Sequence, residues 1–143
     1  MADSPSTAYA RPRPFVTTLN KPHWDALREH RLSMQRCDDC GHVRFPPGPW
    51  CTECHSRAST WTDLSGRATL NSFVVFHRAY FAAFDDAVPY NVAEVTLAEG
   101  PRLLADVVGV ANEALRGGMD LEVVYDDVAD DLTLARFRPV GGP

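Results

Sequence analysis

All four cysteines fall between Cys37 and Cys54, as two Cys-x-x-Cys pairs, Cys37/Cys40 and Cys51/Cys54, separated by ten residues. Each pair puts two thiolates on one side of a tight bend, and two such bends facing each other make a tetrahedral S4 cage about 2.3 Å from a zinc ion. Two local disulfides would need an oxidising compartment, yet Met1 to Pro14 is polar and proline-rich without the apolar run of a signal peptide, so a cytoplasmic location is expected. A thioredoxin-type redox site needs one such pair, not two that match each other. Iron in a rubredoxin-like site uses the same ligands, and Gly41 follows the first pair. His55, however, stands where a second glycine would free an amide for a cluster sulfur, so zinc is the preferred metal.

Four protein ligands leave no open position for water or substrate, so the expected role of the metal is structural. It would fold a hairpin knuckle too short to bury a core of its own. Between the pairs, Val43 to Trp50 carries Phe45, Trp50 and three prolines, which stiffen the connection and supply aromatic cover.

The elements that must hold this site are legible in outline. Asn20 offers an N-cap, Pro22 fits a first turn, and His23 to Leu32 reads as a short helix with Trp24, Leu27, Arg28 and Arg31 on one side. Residues 1–19 read as an extended arm, 20–60 as the helix and ribbon, and 61–143 as a second, all-β unit. After the Ser65-Gly66 turn, strands are expected over Ala68–Phe76, Asn91–Leu97, Arg102–Val108, Asp120–Tyr125 and Leu132–Phe137. A helical turn over Ala111–Leu115 and an acidic turn over Asp126–Asp131 separate the later strands. The fold class is therefore mainly β, an N-terminal helix and rubredoxin-like ribbon followed by a five-stranded OB-fold barrel.

The chain has 143 residues, 45% of them hydrophobic, and a formal net charge of −5, which argues against nucleic acid as the main partner. Its charge is uneven: Arg11 to Arg44 holds seven basic and four acidic residues, whereas Glu113 to Asp131 holds seven acidic residues against Arg116 alone. Arg28, Arg31 and Arg44 are candidates for phosphate or partner contacts. The segment from Phe76 to Tyr90 packs five aromatics into fifteen residues without strand alternation, and we read His77, Arg78, Tyr80, Phe81 and Phe84 as a contact surface, with Trp24 and Phe45 beside it. No Ser, Cys or carboxylate is paired with His77 or Arg78 at a recognisable spacing, so no catalytic residue is assigned.

The order of these features resembles the DUF35 family. The resemblance rests on Trp24, Arg31-Leu32, Gln35-Arg36-Cys37, Cys40-Gly41, Arg44-Phe45-Pro46-Pro47, Cys51, Cys54, Trp61, Ser65-Gly66, Ser72-Phe73, His77-Arg78, Pro89-Tyr90, Glu99 to Leu103 and Gly118-Met119. It departs at Ala68, where many relatives have Gly, and at Leu70, where an aromatic is common. What the resemblance implies is an OB-fold protein with a rubredoxin-like zinc ribbon, acting as a non-catalytic partner of a thiolase-superfamily enzyme on acyl-CoA thioesters. One branch supports a steroid side-chain aldolase. A stand-alone acyl-CoA-binding module is the alternative, and a single-stranded nucleic-acid binder a weaker one.

Overall fold

A computed structural model describes residues 9–141. The helix α1 spans Lys21–Arg28 and buries His23, Ala26 and Leu27, spaced so that they share one face. Asn20 does not cap it: the Asn20 side chain turns back, accepting from the Thr17 amide at 2.7 Å and donating to the Phe15 carbonyl at 3.0 Å. The C-terminus is a Schellman motif. Arg31 N–H reaches Ala26 O and His30 N–H reaches Leu27 O, both at 2.9 Å, with His30 in the left-handed position at φ 57°. The helix is therefore shorter than the expected His23 to Leu32, and Arg31 lies beyond it rather than on a face with Trp24 and Leu27.

The chain leaves that turn as β1 (Ser33–Cys37), which pairs antiparallel with the two-residue β2 (Val43–Arg44) on one side and with β3 (Ser59–Asp63) on the other. Sequence reading did not foresee β3, because Ser59–Asp63 has little apolar alternation. Pairing with β1 is what makes it a strand.

Five strands follow: β4 (Arg67–Phe76), β5 (Tyr90–Leu97), β6 (Arg102–Ala105), β7 (Asp120–Ala129) and β8 (Leu132–Pro139), in the order β6-β5-β4-β7-β8. The sheet curls, with a bulge between Leu70 and Ser72, and closes through a parallel bridge between Val107 and Phe137. Val108 N–H to Phe137 O at 2.8 Å and Phe137 N–H to Asp106 O at 3.0 Å hold that seam. Beside it, Arg136 is clamped by Asp106 and by Asp126, the latter at 2.6 Å. This is the OB-fold barrel, its helical insertion reduced to a 3-10 turn at Asn112–Ala114. The acidic turn is tighter than expected: β7 runs on to Ala129, because Asp127 still pairs with Thr133 across the hairpin.

One core serves both sheets. Leu70, Val95, Leu97, Leu121 and Phe137 from the barrel cluster with Leu27, Leu32 and Met34 from the helix and ribbon, all at 1% exposure or less. Each such side chain contributes about 1.5–3 kcal/mol on leaving water, so the ribbon is anchored by shared packing as well as by its sulfurs.

Candidate metal centre and docking surfaces

The ribbon's two turns have the same backbone. Gly41 N–H bonds to Cys37 O and His55 N–H to Cys51 O, both at 3.0 Å, while Cys37 N–H bonds to His42 O and Cys51 N–H to Ser56 O, both at 2.8 Å. Gly41 sits at φ 78° and His55 at φ 63°. His55 thus adopts the conformation that a glycine would supply, and the sequence argument against iron at this position loses its geometric basis. A left-handed residue other than glycine is strained by roughly 1–2 kcal/mol, so His55→Gly is expected to stabilise the ribbon by about 0.5–1 kcal/mol after glycine's extra chain entropy. Chemical denaturation of the metal-loaded protein checks this, and an unchanged or lower midpoint contradicts it.

The four Sγ atoms lie within 4.8 Å of one another. Cys37 and Cys54 are 3.5 Å apart and Cys40 and Cys51 3.6 Å, too far for disulfides. Tetrahedral coordination at about 2.3 Å would place sulfurs roughly 3.8 Å apart, so the cage fits a metal ion. Cys37 and Cys51 are buried, Cys40 and Cys54 exposed. Without a metal the four thiols could not ionise together. The Cys40 amide helps draw Cys37 down to about 6. Cys40, although the His42 amide pulls it down, is pushed up to about 12 by burial and by the neighbouring thiols. A divalent cation removes that conflict by holding all four as thiolates.

The other residues singled out in the sequence do not form one site. Arg31 is engaged within the chain, with Asp63 at 2.6 Å and Glu29 at 3.1 Å. Arg44 is 5% exposed and donates to Gly48 O at 3.0 Å, while Gln35 accepts from the Gly48 amide at 2.9 Å. Its Nε and remaining amino nitrogen are enclosed without a hydrogen-bond partner among the described residues. The protein encloses this guanidinium where a partner-facing role had been expected, because β2 carries Arg44 inward against Gln35 of β1. Arg28 stays on the surface, 3.5 Å from Asp130 O.

The aromatic segment divides in two. Phe76 stacks on Tyr90 at 5.1 Å, and Tyr90 meets Phe84 at 5.3 Å, so these rings cover one another. Arg11 from the arm lies over Phe84 at 4.6 Å and donates to Ala83 O at 3.3 Å. Tyr80 and Phe81 stand out at 68% and 61% exposure, with Arg78 over the Tyr80 ring, and His77 and Arg78 are exposed. Trp24 and Phe45 lie elsewhere, flanking His23 with ring centroids at 5.3 and 5.1 Å, beside an apolar groove that sequence reading could not have placed.

A four-cysteine ribbon packed on a closed OB barrel defines a class of two-part ribbon and barrel proteins. The chain belongs to the ChsH2/DUF35 family: residues 24–60 match the family described as ChsH2, rubredoxin-like zinc ribbon domain, and residues 61–126 match ChsH2, C-terminal OB-fold domain. It is 31% identical to a DUF35 domain-containing scaffold protein of Pyrococcus furiosus, over 82% of this chain and 90% of that one. It is 36% identical to a probable enoyl-CoA hydratase alpha subunit of Thermomonospora curvata, over 90% of this chain, and 35% identical to the 3-oxo-4,17-pregnadiene-20-carboxyl-CoA hydratase alpha subunit of Mycobacterium tuberculosis, over 75% of it. The chain spans only 40% and 33% of those two subunits. Among solved structures, it resembles a chain of the Ltp2-ChsH2(DUF35) aldolase with a TM-score of 0.81 and 35% identity, covering 89% of this chain and 98% of that one.

Proposed function

We propose that this protein is a non-catalytic accessory subunit that docks on a thiolase-like enzyme acting on acyl-CoA thioesters in lipid or steroid breakdown. The observation that carries the reading is the likeness along nearly the whole length of a chain from an Ltp2-ChsH2(DUF35) aldolase. The steroid-derived thioester named for the Mycobacterium tuberculosis relative supports the substrate class. Zinc held by Cys37, Cys40, Cys51 and Cys54 keeps the ribbon folded, and four thiolates bound this way suit a reducing, cytoplasmic setting. Tyr80 and Phe81, with Arg78, His77 and Phe84 around them, form one contact surface, since exposed rings backed by a rigid cluster bury large area at little entropic cost. Trp24 and Phe45 mark a second, and Arg28 contributes from the helix.

The test is co-expression with a candidate thiolase-superfamily subunit, followed by light scattering and isothermal calorimetry. A stable hetero-oligomer is expected, with Phe81→Ser weakening it at least tenfold, as truncation of a central aromatic anchor does, at unchanged metal content. A chain that stays monomeric throughout overturns the reading. Heat evolved with CoA on the isolated chain would favour the stand-alone binding module instead.

A further inference from the structure

An apolar groove of about 500 Å³ runs between α1, the Phe45–Pro46 turn and the barrel. All four consecutive residues of β6, Arg102 to Ala105, line it. Successive strand residues point to opposite faces, so a groove touching all four runs along the strand's edge. That edge is open. β6 pairs with β5 on one side, the barrel seam lies further along at Val107–Phe137, and among the described residues no backbone group closes the other side of 102–105. The edge is only four residues long and begins at the charged Arg102, but within Arg102–Ala105 it carries no lysine, proline or bulge, and Leu104 is 72% exposed.

His23 adds a specific feature. Its Nδ1 lies 3.0 Å from Ser33 O, and because a carbonyl only accepts, Nδ1 must carry the proton. Burial holds the His23 pKa below its usual value, so the ring is neutral and Nε2 is a bare acceptor. The residue is only 4% exposed and lines the groove; its Nε2 has no hydrogen-bond partner among the described residues and, unlike the enclosed Arg44 nitrogens, is not sealed off, so it is reached from the groove. The Trp24 and Phe45 rings stand on either side of it.

A free strand edge requires a row of backbone donors and acceptors, which an extended chain supplies and a compact small molecule does not. A second copy pairing through the same edge would bring Arg102, Leu103 and Leu104 toward the groove; neither leucine carries a donor for Nε2, and the Arg102 guanidinium is tied to Glu94 of its own chain at 3.3 Å. We propose that an extended segment of the partner subunit adds as a strand to the free edge of β6 and inserts a tryptophan or tyrosine into the groove, its N–H or O–H donating to His23 Nε2. This rests on the reading that the chain docks on a larger subunit, and it makes Trp24 and Phe45 the walls of an anchor pocket for that subunit.

The probe is the peptide Ac-Thr-Trp-Thr-Trp-Thr-NH2, whose indoles fall on one face of a strand, added to the metal-loaded full chain. Expected are slowed amide exchange confined to Arg102–Ala105, a shift of the His23 Nε2 nitrogen resonance, and roughly tenfold weaker binding when 1-methyltryptophan removes the indole donors. Alternate N-methylation of the peptide backbone should weaken binding at least tenfold, and Leu104→Asp, on an exposed position, at least fivefold. Failure to bind, equal binding after N-methylation, or self-association through β6 overturns the proposal. The wider reading is tested separately with the thiolase-superfamily subunit. No hetero-oligomer, with the peptide still bound, sinks that reading alone. A hetero-oligomer that neither the peptide nor Leu104→Asp disturbs sinks the groove proposal alone.

Discussion

Replacing Cys51 with serine empties the metal centre and unfolds the ribbon. Cys51 is fully buried, with its sulfur 3.6 Å from that of Cys40, so a hydroxyl there leaves three thiolates around an incomplete cage. Structural zinc sites contribute on the order of 10 kcal/mol or more of apparent folding free energy at neutral pH, far more than the short β1–β3 sheet could supply by pairing. The damage does not stop at the knuckle. Leu32 and Met34 belong to the core that fills the barrel, and side chains of that kind are worth roughly 2–5 kcal/mol each when removed. Metal analysis should fall from one ion per chain to none, and hydrogen exchange should show β1, β2 and β3 unprotected while the barrel strands lose only part of their protection. Chelation of the wild-type protein should reproduce the pattern. A Cys51→Ser chain that keeps ribbon protection and midpoint stability would show that the sulfurs are incidental to the fold.

Gly66→Ala is the second severe case, and its cause lies in the barrel. Gly66 has φ +78°, and a Cβ added there would sit 2.4 Å from Val123 Cγ1 and 3.3 Å from Val123 Cβ. The backbone cannot retreat, because Gly66 O accepts from Val123 N–H at 2.8 Å and so holds the first barrel turn against β7. Left-handed strain of about 1–2 kcal/mol and overpacking of about 1–3 kcal/mol sum to a loss near 3 kcal/mol, roughly 10 °C in Tm for a chain of this size. The two contributions separate in a double-mutant cycle: Val123→Ala removes the clash but not the strain, so Gly66 and Val123 should couple by about 1–2 kcal/mol. Additive single effects would mean that Val123 rotates away freely and that the turn is less tightly held than its geometry indicates.

The contrast between Gly41 and His55 shows how far local sequence carries. Both Cys-x-x-Cys turns close with the same hydrogen bonds and both require a left-handed fifth residue. Only one of them carries the glycine that would reveal it. The aromatic segment was legible as a concentration of rings, but which rings it hides depended on Phe76 and Tyr90 meeting across the hairpin. Arg31 and Arg44 read alike as cations on a basic stretch. One is held by Asp63, 32 residues on, and the other is enclosed by its own strand pairing.

The sequence by itself determined the four-cysteine cage, the five barrel strands along the chain and the family, because ligand type, four-residue turns and strand alternation are properties of neighbouring residues. The tertiary structure alone decided that helix, ribbon and barrel share one core, that β6 keeps a free edge beside an apolar groove, and that the ring of His23 lines that groove with a nitrogen that has no partner among the described residues. Those features arise where segments far apart in the chain meet, and pairing partners, enclosure and leftover hydrogen-bonding capacity exist only once they have met.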